Sequence, residues 1–334
     1  MEAPLLTRRR VVAAGAAAPL AWLTGCSTPL PLAEVPARPD ADAERLLLRS
    51  AEAHGLAAYR RIEDVNVRYE GEWRPLIDRV QPVLVDKAYR GSSEERLIPR
   101  AGIVAQAYQG LAGHKQVSWR RGEGTGAGRG QVAVWLNGQA STDADVLAAS
   151  ALVAEGYGLF LLGPLWLAER GLAVQAGAAE RVDGRDCDVV EVWLRPGLGL
   201  APLDRVALCI DRGTSLTRRL RFTLEGYPGT RGAVAEVDTF DHERRFGVVW
   251  PMRTYERVVH PLRLPAHDWR IAGIDVNRGY DASALAGPRF VGRGDAGCRA
   301  LSAAHPGSTS PSWFAIRSRA VSKSARDAPA TLAR

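Results

Sequence analysis

Six histidines, at positions 54, 114, 242, 260, 267 and 305, are the side chains best able to ligate a metal or carry a proton near neutral pH. No two of them stand three or four residues apart, the spacing that sets two imidazoles on one helix face, so no zinc site is expected. The chain holds neither a Gly-x-Ser-x-Gly elbow nor a Ser-x-x-Lys set, and no catalytic residue is assigned. A convergent triad is recognised by geometry and leaves no such trace, so an enzyme stays open as the weakest reading. Alternate glycines from Gly122 to Gly130 imitate a phosphate loop. No Gly-Lys-Ser/Thr follows them and the next segment alternates like a strand, so they read as a hairpin loop. Arg90, Gly91, Ser92, Ser93, Glu94, Glu95 and Arg96 gather charge beside Tyr89 between two strand-like stretches. They read as a solvated turn whose ion pairs contribute about 0–1 kcal/mol each, with a polar site at a cavity mouth as the alternative.

The N-terminus carries different chemistry. Thr7, Arg8, Arg9 and Arg10 precede 13 apolar residues, 11–23, that end on Leu23-Thr24-Gly25-Cys26. A basic head, a short greasy middle and a small-residue cleavage site make an export signal, and the middle is shorter than the ~20 residues of a spanning helix. Arg8 and Arg9 before two valines resemble the twin-arginine signal, and Leu-Thr-Gly-Cys resembles a lipobox. The resemblance implies that Cys26 becomes the lipidated first residue and ties the protein to a membrane. Ser27, a residue other than Asp, resembles the outer-membrane sorting pattern of Gram-negative lipoproteins. The expected location is therefore the periplasmic side of the cell envelope, lipid-anchored at the outer membrane. Twin-arginine export permits a cofactor but requires none, and none is expected.

The net charge of +7 suggests nucleic acid until it is located. Residues 1–26 contribute +2 and residues 291–334 contribute +5, while 27–290 hold 34 basic and 34 acidic residues. A neutral body lacks the field that attracts phosphate backbones, so no nucleic-acid partner is expected.

The elements that must position any site follow from period and punctuation. Four prolines in 27–41 read as an extended tether. Asp42 is placed to cap a helix that stops near Gly55. Strand-like alternation recurs at 65–69, 83–89, 97–108, 115–119 and 132–136, and again at 173–182, 187–194, 206–211, 216–224, 233–240, 248–259 and 269–276. Asp183-Gly184 between two such runs marks a type I′ hairpin. Cys187 and Cys209 fall on neighbouring strands whose register sets Cys209 near Val190, which predicts two buried free thiols. From 143 to 170 the rhythm breaks: between Val146 and Ala168 the only charge is Glu155. Gly156, Gly158, Gly163 and Pro164 are expected to split this apolar insertion into two short helices, either a buried pair or a plug set into a concave sheet. Residues 284–334 lack any period and read as a disordered basic tail.

A single domain over 42–283 is thus expected to be mainly β (α+β), a large curved antiparallel sheet or unclosed barrel wrapped around a few helices. One N-terminal helix, a long meander and a mid-chain apolar insertion resemble the LolA/LolB and LppX-like lipoprotein and lipid carriers. Val182-Asp183-Gly184-Arg185-Asp186 and Ile210-Asp211-Arg212-Gly213-Thr214 look like the strand-turn-strand centre of their sheets. The resemblance implies an incomplete barrel with an apolar cavity, and a lipid, acyl chain or lipoprotein as ligand. Tyr157, Phe160, Leu161, Leu165 and Trp166 of the insertion, with Trp135, are the candidate cavity residues, because such sites are concave and apolar. An envelope-assembly lipoprotein that binds another protein is the alternative. The two diverge on whether the insertion covers a closed core or an open cavity.

Overall fold

The computed structural model describes residues 28–38, 40–122 and 130–290. The expectations for Arg8, Arg9, Cys26 and residues 291–334 lie outside them. The first helix, α1 (Ala41–His54), is capped by Asp40, two residues before the expected Asp42. Asp40 accepts from the amides of Asp42 and Ala43 at 2.9 and 3.3 Å, and also from Ala176 N at 3.2 Å, which ties the helix start to the sheet. Asp42 is instead an exposed first-turn residue paired with Arg45. The helix ends at Gly55, whose φ of 96° and 2.3 Å clearance to Gly247 O admit no Cβ. A further short turn, α2 (Leu56–Tyr59), leads to the first strand.

Strand β1 (Val65–Trp73) runs through Gly71 without a break, and two short helices follow, α3 (Pro75–Val80) and α4 (Pro82–Val85). The strand expected at 83–89 does not form. Pro75 and Pro82 each open a helical turn, where a missing N–H costs nothing and the fixed φ is already helical. The meander continues through β2 (Ser92–Ile98), β3 (Ile103–Gly110), β4 (Gly113–Arg120), β5 (Gln131–Leu136) and the brief β6 (Gln139–Ala140). What read as one strand over 97–108 is two, split by a 3₁₀ turn at Pro99–Ala101. After the insertion come β7 (Ala173–Val182), β8 (Arg185–Leu194), β9 (Asp204–Asp211), β10 (Thr217–Thr223), β11 (Val234–Arg245), β12 (Val248–His260) and β13 (Leu264–Val276). Asp183 and Gly184 both take positive φ, 47° and 77°, as the expected β7–β8 turn requires.

All thirteen strands form one antiparallel sheet in the order β6-β5-β4-β3-β2-β1-β13-β12-β11-β10-β9-β8-β7. The join is between β1 and β13, where Val67 faces Ile274, and β6 and β7 remain edges, so the sheet stays open as the sequence led one to expect. The insertion crosses from one edge to the other as α5 (Ala144–Leu162) and α6 (Pro164–Ala168). It is a buried helical pair, but α5 runs unbroken through Gly156 and Gly158 and the chain turns only at Gly163-Pro164. The cost of helical glycine, about 1 kcal/mol each, is offset by burial, because a Cβ on Gly158 would meet the Trp166 ring at 2.7 Å. Helix α5 is long and apolar enough to cross a membrane, yet 83% of its apolar window is buried against the sheet. Beyond the first-turn Asp145 its one charge, Glu155, is buried, pairs with Arg121 and accepts from Gly199 N at 2.8 Å, while the Arg121 guanidinium lies 4.0 Å over the Trp166 ring.

Two boundaries move. The described part of the expected tether lies on the sheet rather than apart from it. Thr28 N donates to Val259 O at 2.9 Å, Leu30 joins an outer cluster with Cys187, Val189, Cys209 and Val259, and Trp193 Nε1 donates to Ala33 O at 3.1 Å. Extended chain with few N–H groups still offers carbonyls, and the sheet side chains take them. At the other end, Ala284 and Leu285 are buried against Ile103, Ala105 and Tyr280, so the ordered body reaches beyond 283. Cys187 and Cys209 are buried free thiols, with Cys209 opposite Val189.

Candidate functional site

Inside the curve of the sheet the core is filled by α5, α6 and one face of α1, but the filling is incomplete beside α3 and α4. There a cavity of about 280 Å³ lies between α5, the α3–α4 pair, β10, β12 and β13. Leu152, Val153, Gly156, Tyr157 and Phe160 form its α5 side, and Trp73, Ile77 and Leu84 face them from the other strand and helices. Phe222, Leu224, Val258, Leu264 and Ala266 close the sheet side. Gly156 contributes the space: a Cβ there would have only Phe160 Cζ within 4 Å, at 3.9 Å. The rim carries Val80 and Leu262, each more than half exposed, and Leu76 stands exposed nearby on α3. Gln81 Nε2 donates to Gly229 O at 2.7 Å and links the α3–α4 pair to the β10–β11 connection. The size sits at the lower edge of the ~300–1,000 Å³ typical of small-molecule sites, and the lining is apolar with few polar groups, as such sites require.

Of the candidate residues, Tyr157 and Phe160 line this cavity. Leu161 meets both in a second space of about 10 Å³ against Tyr69, Met252 and Trp269. Leu165 and Trp166 are buried in the closed part of the core, and Trp135 is half-buried on β5 opposite Gln116, so none of these three lines the cavity. The insertion therefore does both things weighed from the sequence. Its C-terminal half covers a closed core, and its N-terminal half faces an open cavity.

Beneath the cavity wall lies a polar cluster built by strand register. Tyr69 faces Ser93, Ser93 faces Tyr108, and Tyr108 faces Lys115 across four strands. One step along, Glu95 stands between Val67 and Gln106. The residues read as a solvated turn thus divide: Ser93, Glu95 and Arg90 are buried inside, while Ser92 to Arg96 belong to β2. Glu95 Oε1 accepts from Gln106 Nε2 at 2.7 Å and from Ser93 Oγ at 3.4 Å, yet burial pushes its carboxyl up to about 8, so it is a neutral acid at pH 7. Lys115 Nζ donates to Asp86 Oδ2 at 2.5 Å, and burial, with Arg90 close by, holds its ammonium below the usual range.

Arg90 is 6% exposed, and its Cζ lies 5.3 Å from the Trp73 ring, 4.9 Å from Tyr108 and 6.0 Å from Tyr157. Trp73 and Tyr157 also line the cavity, so one layer of aromatic rings separates it from the guanidinium. His267 is fully buried on the same floor, with its ring centroid 4.6 Å from Trp73 and 5.6 Å from Tyr157. The Glu256 carboxylate of the cavity wall stands 2.5 Å from His267 Nε2 without the alignment of a hydrogen bond. Among the described residues no three His, Cys, Asp or Glu side chains are gathered to hold a metal ion.

Sequence reasoning held Arg90 and Glu95 only as an alternative polar site at a cavity mouth, because both faces of 90–96 are polar and nothing local marks the inward one. The signal existed only in pairing, since Leu97 faces Val65 and Val104, and once those are core every second residue back to Ser93 must point inward.

An open antiparallel half-barrel with a helix-walled apolar cavity is thus the class of molecule the fold and site define. No family model and no curated protein matches the chain. Among solved structures it is similar to a DUF1329 family protein from Desulfovibrio piger, with 12% identity and a TM-score of 0.47 over 75% of this chain and 100% of that one. It is also similar to a LolA superfamily protein from Nitrosomonas europaea, with 11% identity and a TM-score of 0.39 over 73% and 96% of the two chains. At these identities the likeness concerns the fold alone.

Proposed function

We propose that the protein is a lipid-anchored carrier on the periplasmic side of the envelope, at the outer membrane, which holds an acyl chain or lipid in this cavity without altering it. The observation that carries the reading is the open apolar cavity with exposed Val80 and Leu262 at its rim. Each methylene moved from water into such a space gains roughly 0.8 kcal/mol, which suffices for binding without a single polar contact. The anchor expected at Cys26 fits this use.

Native mass spectrometry with lipid extraction on the full chain tests the reading. A co-purifying or added acyl lipid at one per protein is expected, and Gly156→Leu, which fills the cavity while improving helix propensity, should abolish it with the fold retained. A folded wild-type protein that takes up no acyl lipid would overturn the carrier reading and favour a partner protein at the exposed rim.

A further inference from the structure

The polar cluster under the cavity holds a guanidinium whose Nε and Nη1 groups it does not satisfy. Asp86 is taken by Lys115, and Glu95, the next carboxylate, is held by Gln106 and Ser93. No carboxylate among the described residues pairs with Arg90, and its Nε and Nη1 find no acceptor. The indole N–H of Trp73 and the hydroxyl of Tyr157 are also buried without a partner. Asp86 and Glu95 lie near enough to act on Arg90 through space, but neither carboxyl meets its N–H groups. Ring contacts do not replace those hydrogen bonds, and each orphaned buried donor is a cost the fold carries until a ligand meets it. Such an arrangement is stable when something else supplies an anion.

We propose that the cavity takes a single-chain amphiphile head first, with an anionic head group bound by Arg90, Tyr157 and Trp73 and the chain lying toward the rim. The inference rests on the carrier reading and narrows it to the class of ligand. The geometry selects the head's chemistry. Arg90 leaves N–H groups on Nε and Nη1 without an acceptor, on different edges of the guanidinium, so each can donate singly to an oxygen of a carboxylate or a phosphate, and the tyrosine hydroxyl and indole N–H add donors at the shared wall. The route is short because Trp73 and Tyr157 belong at once to the cavity lining and to the cage around Arg90. The chain half is equally bounded: a cavity of about 280 Å³ suits one chain rather than the two of a diacyl lipid. The acidic side chain on the lining, Glu256, is turned against His267.

Titration calorimetry on the delipidated full chain with four twelve-carbon probes tests this: laurate, dodecyl phosphate, dodecanol and dodecyltrimethylammonium. At least one anion should bind tenfold or more tightly than dodecanol, with the cation weakest. Preference for laurate assigns a carboxylate head, and preference for dodecyl phosphate a phosphate head. Arg90→Met should erase the preference for the anion while dodecanol affinity stays within about twofold, with near-ultraviolet circular dichroism checking the fold. Equal affinity of wild-type protein for the anions and dodecanol would overturn the head-group proposal and leave the carrier reading standing. No binding of any probe would overturn both.

Discussion

Gln81 and Gly229 are 148 residues apart in the chain and meet at 2.7 Å on the cavity lining, side-chain amide to backbone carbonyl. Gln81 sits between α3 and α4, so this hydrogen bond fastens the two short helices over the cavity to the β10–β11 connection. Elsewhere the pair is held by a small apolar cluster of Ile77, Val85 and Ala266 with Trp73 and Val258. Few buried contacts and short helices mark this as the part of the molecule that opens most readily.

Gln81→Ala should therefore speed ligand exchange more than it weakens the fold. The loss of one partly exposed hydrogen bond costs about 0.5–1.5 kcal/mol. Stopped-flow displacement of a fluorescent fatty acid should show release several-fold faster than wild type, with the urea midpoint changed only slightly. An unchanged release rate would mean that the α3–α4 pair does not gate the cavity.

Glu155 is the one charge in the buried stretch of α5, and it is satisfied by Arg121 and Gly199 N. Removing either side chain of the ion pair leaves the other charge buried without its counter-ion. Glu155→Leu and Arg121→Met are each expected to destabilise by about 3–5 kcal/mol, and the double variant by clearly less than the sum. Urea unfolding of the four proteins measures the coupling.

His54 is buried, donates through Nδ1 to Val249 O at 3.0 Å and accepts at Nε2 from Thr217 N at 3.1 Å. The contact at Nε2 needs the neutral ring, and burial lowers its pKa to about 4 from 6.5. The folded state refuses a proton that the unfolded chain accepts, so the stability this group contributes is complete above pH 6.5 and is lost as pH falls toward 4. The loss approaches about 3 kcal/mol for this residue. Urea midpoints measured between pH 7 and pH 4.5 should fall steeply, and His54→Gln should flatten the slope even though it is less stable at pH 7.

Glu95 has the opposite sign. Its folded pKa is raised to about 8 by burial, so its contribution is complete below about pH 4.5 and is lost as pH climbs toward 8. Glu95→Gln keeps the shape and the Gln106 contact without the charge, and should stabilise the protein at pH 8 more than at pH 5. A variant with the wild-type pH slope would show that Glu95 is already ionised in the fold.

Local rules made much of this molecule legible before any coordinates. The hairpin at Asp183-Gly184, the strands around Cys187 and Cys209, and the stop at Gly55 were readable because each depends on a few adjacent residues and a fixed period. The apolar insertion was readable as a buried pair because a single charge in over twenty residues leaves no solvated face. Local rules also misled where two structures share one composition. The stretch 83–89 alternates like a strand, and only the placement of Pro82 at a helical first turn shows why α4 forms instead.

What the chain could not disclose by itself depends on residues far apart in sequence. The join of β1 to β13 brings Trp73 opposite His267, and the β2–β3–β4 register turns Ser93, Glu95, Tyr108 and Lys115 inward. Neither follows from period, since a strand with polar residues on both faces has no preferred side until its neighbours are chosen. The cavity, too, is a property of packing: Gly156 and Gly158 are the same residue two positions apart on one helix, yet the second admits the Trp166 ring and the first leaves space unfilled. Sequence determined that there would be a curved sheet around an apolar helix, because burial of that helix demands it. Only the tertiary structure decided that the fit would be incomplete beside α3, and that a guanidinium would lie beneath the gap.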